Sequence, residues 1–280
     1  MKKITPDEVK IIAKYIHDIS GIFLDQSKAY LFETRLDSLV KENGCSSFTE
    51  LYHQAKADGT KSIERKIIDA ISTNETMFFR DTSPFDVLQH KILPDLIDTR
   101  SANSSSFLPP QIRIWSAACS TGQEVYSIAM VLKELLPDLN KYNITLLGTD
   151  ISDAAISQSS YGSYNKFEIE RGLPPEKLVR YFSRNGDNWK IKDDIRAMVK
   201  FSKLNLLLPL NGLGKFDIVF CRNVAIYFTA EDRKKLFNKI ADILEPKGYL
   251  IIGSTESLTD ICPRFEPKRS IRSIFYQLKR

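Results

Sequence analysis

Four stretches of this chain mix polar, charged and apolar side chains in a way that suits ligand chemistry better than core packing. The first is Asn74-Glu75-Thr76-Met77-Phe78-Phe79-Arg80-Asp81. Asn, Thr and Arg there alternate with Met and two Phe, a poor core helix but a good wall for a small, partly apolar, charged ligand. Phe78 and Phe79 are expected in the core, which leaves Asn74, Thr76 and Arg80 to face the ligand. The other three stretches each follow an apolar run of strand character: Ser116–Glu124, Gly148-Thr149-Asp150 and Cys221–Phe228. In an open parallel sheet, ligands bind beyond the carboxyl ends of the strands.

The first strand-end loop discriminates between ligands. Its small residues, Ser116-Ala117-Ala118-Cys119-Ser120-Thr121-Gly122, let backbone approach a ligand closely, and the helix that follows offers free N–H groups. A pyrophosphate cradle needs glycines at G-x-G-x-x-G, and this loop has only Gly122. A nucleoside without phosphates but with an amino-acid tail fits better, and S-adenosylmethionine is such a molecule. Asp150 can accept hydrogen bonds from both ribose hydroxyls. Glu124 is placed to meet a ligand amine or hydroxyl. Each feature also has a plainer reading. The small loop could be only a tight turn, Asp150 a helix cap, and Arg222-Asn223 with Tyr227-Phe228 a satisfied loop. Cys119 and Cys221 read as small buried residues, since no histidine lies near them in sequence to activate a thiolate.

Two kinds of element must position these loops. Residues 5–100 have helical spacing: Thr5-Pro6-Asp7-Glu8 is a start signal, and Val9, Ile12, Ala13, Ile16 and Ile19 follow on one face. Further helices are expected at Ser27–Glu42, Ser47–Ala57, Ser62–Ile71 and Pro84–Asp98. Residues 101–111 are small, polar and contain Pro109-Pro110, so a linker is expected there between a helical domain (1–100) and a second domain (112–280). In the second domain apolar runs at Ile112–Cys119, Ile144–Ile151, Val199–Leu208, Phe216–Asn223 and Tyr249–Ser254 alternate with helical segments. That is the pattern of a parallel sheet with crossover helices. Arg264–Leu278 reads as a closing strand pair. The alternation lapses over about 162–198, where Asn185-Gly186-Asp187-Asn188 signals a small β-hairpin insert.

Composition narrows the classes. The four cysteines are scattered, with no C-x-x-C pair, and the three histidines are isolated. Neither a structural metal nor a disulfide scaffold is expected, and a reduced, cytoplasmic setting fits. The net charge is +5, with residues 1–100 about neutral at 14 basic against 16 acidic side chains. No basic run with interleaved aromatics points to nucleic acid. Neither a membrane span nor a leader is expected.

Taken in order, these motifs resemble the chemotaxis receptor glutamate O-methyltransferase (CheR) family. The likeness runs from Gly21-Ile22-Phe23-Leu24 and Arg35-Leu36 through Asn74–Asp81, where the family typically reads N-x-T-x-F-F-R. It continues through Trp115–Ser127, Thr149-Asp150-Ile151, Asn205-Leu206, Phe216-Asp217, Cys221–Val224 and Ile226-Tyr227-Phe228. Any one piece is weak; their joint order is specific. The sequence departs from the usual pattern at Gln123, Val125 and Ala225, and its insert hairpin is short beside members that grip a receptor's tether.

The resemblance implies an α/β fold: a Rossmann-like, mostly parallel S-adenosylmethionine-dependent methyltransferase sheet, an N-terminal all-helical domain and a small β-subdomain. It implies S-adenosylmethionine as donor, S-adenosylhomocysteine as product, no metal, and glutamyl methyl esters made on the cytoplasmic helical region of methyl-accepting receptors by a monomer. Carried over by position, the cofactor residues are Asn74, Thr76, Arg80, Glu124, Asp150, Asn205, Leu206, Arg222 and Asn223. Asn205 and Leu206 would line the adenine, and Arg80 and Tyr227 would flank the methyl group as the catalytic pair. Lys28, Arg35 and Lys41 could form a basic stripe toward an acidic receptor helix. Two other readings are a methyltransferase of a different acceptor and a non-catalytic interaction module on the same fold.

Overall fold

The computed structural model describes residues 3–103, 109–136 and 138–279. Its first four helices are α1 (Pro6–Ser20), α2 (Ala29–Glu42), α3 (Phe48–Ala57) and α4 (Ser62–Ile71). Helix α1 opens on Thr5, whose hydroxyl accepts from the Glu8 amide while the Glu8 carboxylate accepts from the Thr5 amide. The same carboxylate accepts from the amides of Phe48 and Thr49, so one side chain caps two helices. Burial pushes the Glu8 pKa up, but these backbone hydrogen bonds outweigh it and leave the carboxyl below its ordinary value. Ile12, Ile16, Phe32, Leu36, Leu51 and Ile67 close a hydrophobic cluster of their own, ending at Ile71.

The next helical stretch belongs to a different core. It comprises α5 (Ser83–Val87), a π turn (Leu88–Ile92) and α6 (Leu93–Asn103). One unbroken helix is expected from the sequence, but Pro94 has no N–H to give to the preceding turn. The wider π turn just before it absorbs that mismatch. Phe78, Phe79, Phe85, Leu88, Ile92 and Leu93 all pack with the sheet. Packing therefore divides between Ile71 and Phe78, well before the expected linker at 101–111, whose residues 104–108 lie outside those described.

From there strand and helix alternate: β1 (Gln111–Ala117), α7 (Gln123–Leu135), β2 (Asn143–Asp150) and α8 (Asp153–Tyr161). The insert follows as β3 (Ser163–Tyr164), α9 (Lys166–Glu170), α10 (Pro175–Tyr181), β4 (Phe182–Asn185), β5 (Asn188–Ile191) and α11 (Asp193–Arg196). Its three strands form a separate antiparallel sheet, with the expected hairpin pairing Asn185 to Asn188. The chain returns through β6 (Val199–Lys203), β7 (Phe216–Cys221), α12 (Ala230–Ile243), β8 (Leu244–Ile252), β9 (Phe265–Ser270) and β10 (Ser273–Leu278). The seven-stranded order is β6-β2-β1-β7-β8-β10-β9. It is parallel from β6 to β8, and the last two strands run antiparallel. Strand order reverses at β1, which pairs with β2 on one side and β7 on the other; a crevice must open there.

Two strands differ from expectation. Strand β6 stops at Lys203 instead of reaching Leu208. Beyond it Asn205 turns its side-chain oxygen onto the Leu207 amide, and Lys239 Nζ collects the carbonyls of Leu206, Leu207 and Leu208. Strand β8 starts earlier than expected, and a bulge across Pro246 separates its first pair, Phe216 to Leu244, from the regular register.

The β9–β10 hairpin turns on Ile271 and Arg272, with φ of 47° and 59°. Turns of this hand favour Asn-Gly, and a β-branched residue is strained there. Changing both residues (Ile271→Asn with Arg272→Gly) is expected to raise unfolding free energy by about 1 kcal/mol. A lower denaturant midpoint for the double variant would contradict strain at this turn.

Candidate active site

A cavity of about 340 Å3 opens where β1, β2 and β7 end, roofed by the helical half of the chain. All the expected site residues line it except Asn205. Asn205 Nδ2 instead donates to the Ile19 carbonyl at 2.9 Å, so this side chain ties the two halves together. Leu204 and Ile151 line the cavity in its place. Both sit beside expected residues in sequence, and strand-end adjacency could have flagged them. Phe23 and Lys28 also line it, but they arrive by docking of the helical half, which no local pattern announces.

Asp150 ends β2 almost fully buried. One carboxylate oxygen accepts from the Ser120 amide at 2.8 Å and the other from the Ser152 amide at 3.0 Å. A carboxylate has about four acceptor sites, so these amides leave room for a ligand's hydroxyl. Burial raises its pKa above the ordinary value, against the pull of those amides, and the nearby Asp69 carboxylate adds to the rise. Ser152, rather than Asp150, caps α8.

Arg222 is the hub of the site, with its side chain 1 % exposed. Nη1 donates to Glu124 at 2.8 Å, and Nη2 donates to the Arg80 carbonyl and to Asp81, each at 2.8 Å. Glu124 also accepts from the Ser116 hydroxyl at 2.8 Å. One guanidinium thus joins the ends of β1 and β7 to the Asn74–Asp81 segment. Glu124 meets Arg222 first, and only its remaining acceptor sites are open to a ligand. Phe78 and Phe79 are buried as expected. Arg80 itself is anchored once, by Nη1 to the Glu75 carbonyl at 3.0 Å. Among the described residues, the side chains of Asn74, Thr76 and Tyr227 have no hydrogen-bond partner.

Backbone strain collects here. Of nine non-glycine residues with positive φ among those described, six lie in these loops: Phe79, Asp81, Thr82, Ala118, Ser120 and Asn223. Conformations of this kind cost about 1–3 kcal/mol each and persist where the surroundings over-determine them. Gly122 has φ 96°, and a Cβ there would stand 2.8 Å from Ser159 Cβ, so only glycine makes the turn into α7.

The helical half is held over the cavity by polar contacts. The Phe23 amide donates to the Tyr227 carbonyl at 2.8 Å. Ser152 Oγ donates to Asp69 at 2.7 Å, and His17 Nε2 lies 2.8 Å from Asp232. Of the expected basic stripe, Lys28 and Lys41 stay exposed and Arg35 does not. Arg35 turns inward to the Ile71 and Ser72 carbonyls, and Lys41 pairs with Asp37. Cys119 and Cys221 are buried, as expected, and that burial pushes both thiols above their ordinary pKa and favours the uncharged form.

The donor set suits an adenosyl group with an amino-acid tail. The single-glycine loop gives no pyrophosphate cradle. Ser120 Oγ is buried at the cavity with no partner among the described residues, which a ligand hydroxyl or amine would satisfy. No cluster of three or more His, Cys, Asp or Glu able to hold a metal occurs among the described residues. No helix among them is long and apolar enough to cross a membrane.

A family model described as "CheR methyltransferase, SAM binding domain" matches residues 74–273, and one described as "CheR methyltransferase, all-alpha domain" matches residues 7–72. The two meet where packing divides. Fold and cavity together are those of an S-adenosylmethionine-dependent methyltransferase. The chain belongs to the CheR methyltransferase family. It is 38% identical to "Chemotaxis protein methyltransferase Cher2" of Pseudomonas putida, over 95% of both proteins. It is 38% identical to "Chemotaxis protein methyltransferase 1" of Pseudomonas aeruginosa, over 97% of this chain and 98% of that protein. It is 39% identical to the "Chemotaxis protein methyltransferase" of Borreliella burgdorferi, over 91% of this chain and 89% of that protein.

Proposed function

We propose that this enzyme transfers a methyl group to glutamate side chains of chemoreceptors, in the cytoplasm, giving glutamyl methyl esters for sensory adaptation. S-adenosylmethionine, when bound, supplies the methyl on an electrophilic, positively charged sulfur. One observation carries the acceptor assignment: a cation, Arg80, and a phenol, Tyr227, line a cavity that no histidine lines among the described residues. A glutamate, with a reference pKa of about 4.3, is already ionised at neutral pH and needs no base. An alcohol or a protonated amine would have to give up a proton to attack.

The chain's own work is then orientation and desolvation. Arg80 has N–H groups beyond the one held by Glu75, and these orient the acceptor carboxylate by charge-assisted hydrogen bonds. Tyr227 sets the attacking oxygen, with a reacting distance of about 3 Å. The carboxylate must not be held too strongly, because its charge is lost as the ester forms. Arg80→Ala and Tyr227→Phe are each expected to lower turnover at least about tenfold, a barrier change of about 1.4 kcal/mol. Full turnover in a receptor-methylation assay would remove the residue concerned from this role.

A further inference from the structure

The Arg80 segment is gripped from the small β insert. Arg171, the residue just after α9, donates from Nη2 to Glu75 Oε1 at 2.9 Å. The Glu75 carbonyl in turn accepts from Arg80 Nη1 at 3.0 Å. The next residue, Gly172, has φ 92° and lies so close to the Phe78 carbonyl that an added Cβ would stand 2.3 Å from that oxygen. The Phe78 ring sits edge-on against Tyr164 and Phe182 of the same insert, with centroids 5.0 and 5.5 Å away. Contacts from the insert therefore fall on Glu75 and Phe78, the residues that lead into Arg80.

We propose that Arg171 and Gly172 are positioning residues for methyl transfer, fixing the Arg80 guanidinium through Glu75 and the Phe78 backbone. This rests on the reading of Arg80 given above. Arg171 does not line the cavity, so it acts through its neighbours. Its pair with Glu75 is partly exposed, at 32% and 61% of the side chains, and contributes little to global stability. Its leverage is geometric, because a misplacement of about 1 Å can cost about a hundredfold in rate. Gly172 is fixed by two constraints at once: its left-handed backbone and the absence of room for a side chain.

The test measures kcat, KM for S-adenosylmethionine and thermal midpoint for the full chain with a receptor fragment. Arg171→Ala is expected to lower kcat about fivefold, with a thermal midpoint within about 2 °C of wild type. Arg171→Lys, which keeps charge and reach, is expected to recover at least half of the wild-type kcat. Gly172→Ala is expected to lower kcat at least about tenfold; should it not fold, the Arg171 pair decides. Wild-type kcat in Arg171→Ala alongside an inactive Arg80→Ala overturns the inference and leaves the role of Arg80 standing. So does an Arg171→Lys no better than Arg171→Ala. Full turnover in Arg80→Ala would take both down together.

Discussion

Arg222→Ala is expected to cost about 3–5 kcal/mol of stability and nearly all turnover. The change removes the partner of Glu124, whose side chain is only 12% exposed, and frees the Arg80 carbonyl and Asp81. A buried carboxylate left without its cation keeps its desolvation penalty and loses its compensation. The strained residue Asp81 is held by this same network, so its backbone should relax when it goes. Pairing Arg222→Met with Glu124→Gln should recover most of the stability, because both buried charges are then removed. It should not recover turnover, because the Asn74–Asp81 segment has lost its anchor. Chemical denaturation read beside methyl transfer separates the two effects. An Arg222→Ala variant within about 1 kcal/mol of wild type would show that the hub carries little.

Asp150→Asn is expected to weaken S-adenosylmethionine binding about a hundredfold while the unliganded protein stays at least as stable near neutral pH. Charge-assisted hydrogen bonds are worth about 1.5–3 kcal/mol, which sets the loss for a carboxylate facing two hydroxyls. The stability sign follows from burial. Asp150 has a raised pKa in the folded chain, so ionising it opposes folding. That penalty is absent at pH values where the group is protonated both folded and unfolded. It grows as pH rises through the ordinary carboxylate range. Removing the charge relieves it, against the loss of one side-chain acceptor for the Ser120 or Ser152 amide. Donor affinity in the wild type should run the other way, falling as pH drops through the raised pKa. Calorimetric titration at several pH values measures both trends. Unchanged affinity in Asp150→Asn would place the ribose elsewhere.

Much of this site was legible in the sequence because its residues occupy positions with strong local meaning. Asp150 ends an apolar run, Gly122 stands alone in a small-residue turn, and Arg222 follows a buried strand. Such positions can be read without tertiary information. Asn205 was not, since its motif position says nothing about whether the side chain faces the cavity or the Ile19 carbonyl. The basic stripe loses Arg35 for the same reason: it has helical spacing to Lys28 and Lys41, yet the end of α4 offers carbonyls that claim it. The linker expected at 101–111 follows composition, which marks polar stretches, whereas packing follows where Phe78, Phe79 and Phe85 bury. Phe23 and Lys28 reach the cavity only once the helical half has docked. Neither spacing nor composition encodes that step.

The proposed reaction turns on a carboxylate acceptor. Its most direct test is transfer of labelled methyl from S-adenosylmethionine to receptor fragments, followed by mild base. The label is expected to be released as methanol, as a glutamyl methyl ester requires. Label that survives base would mark N- or ordinary O-alkylation and contradict it.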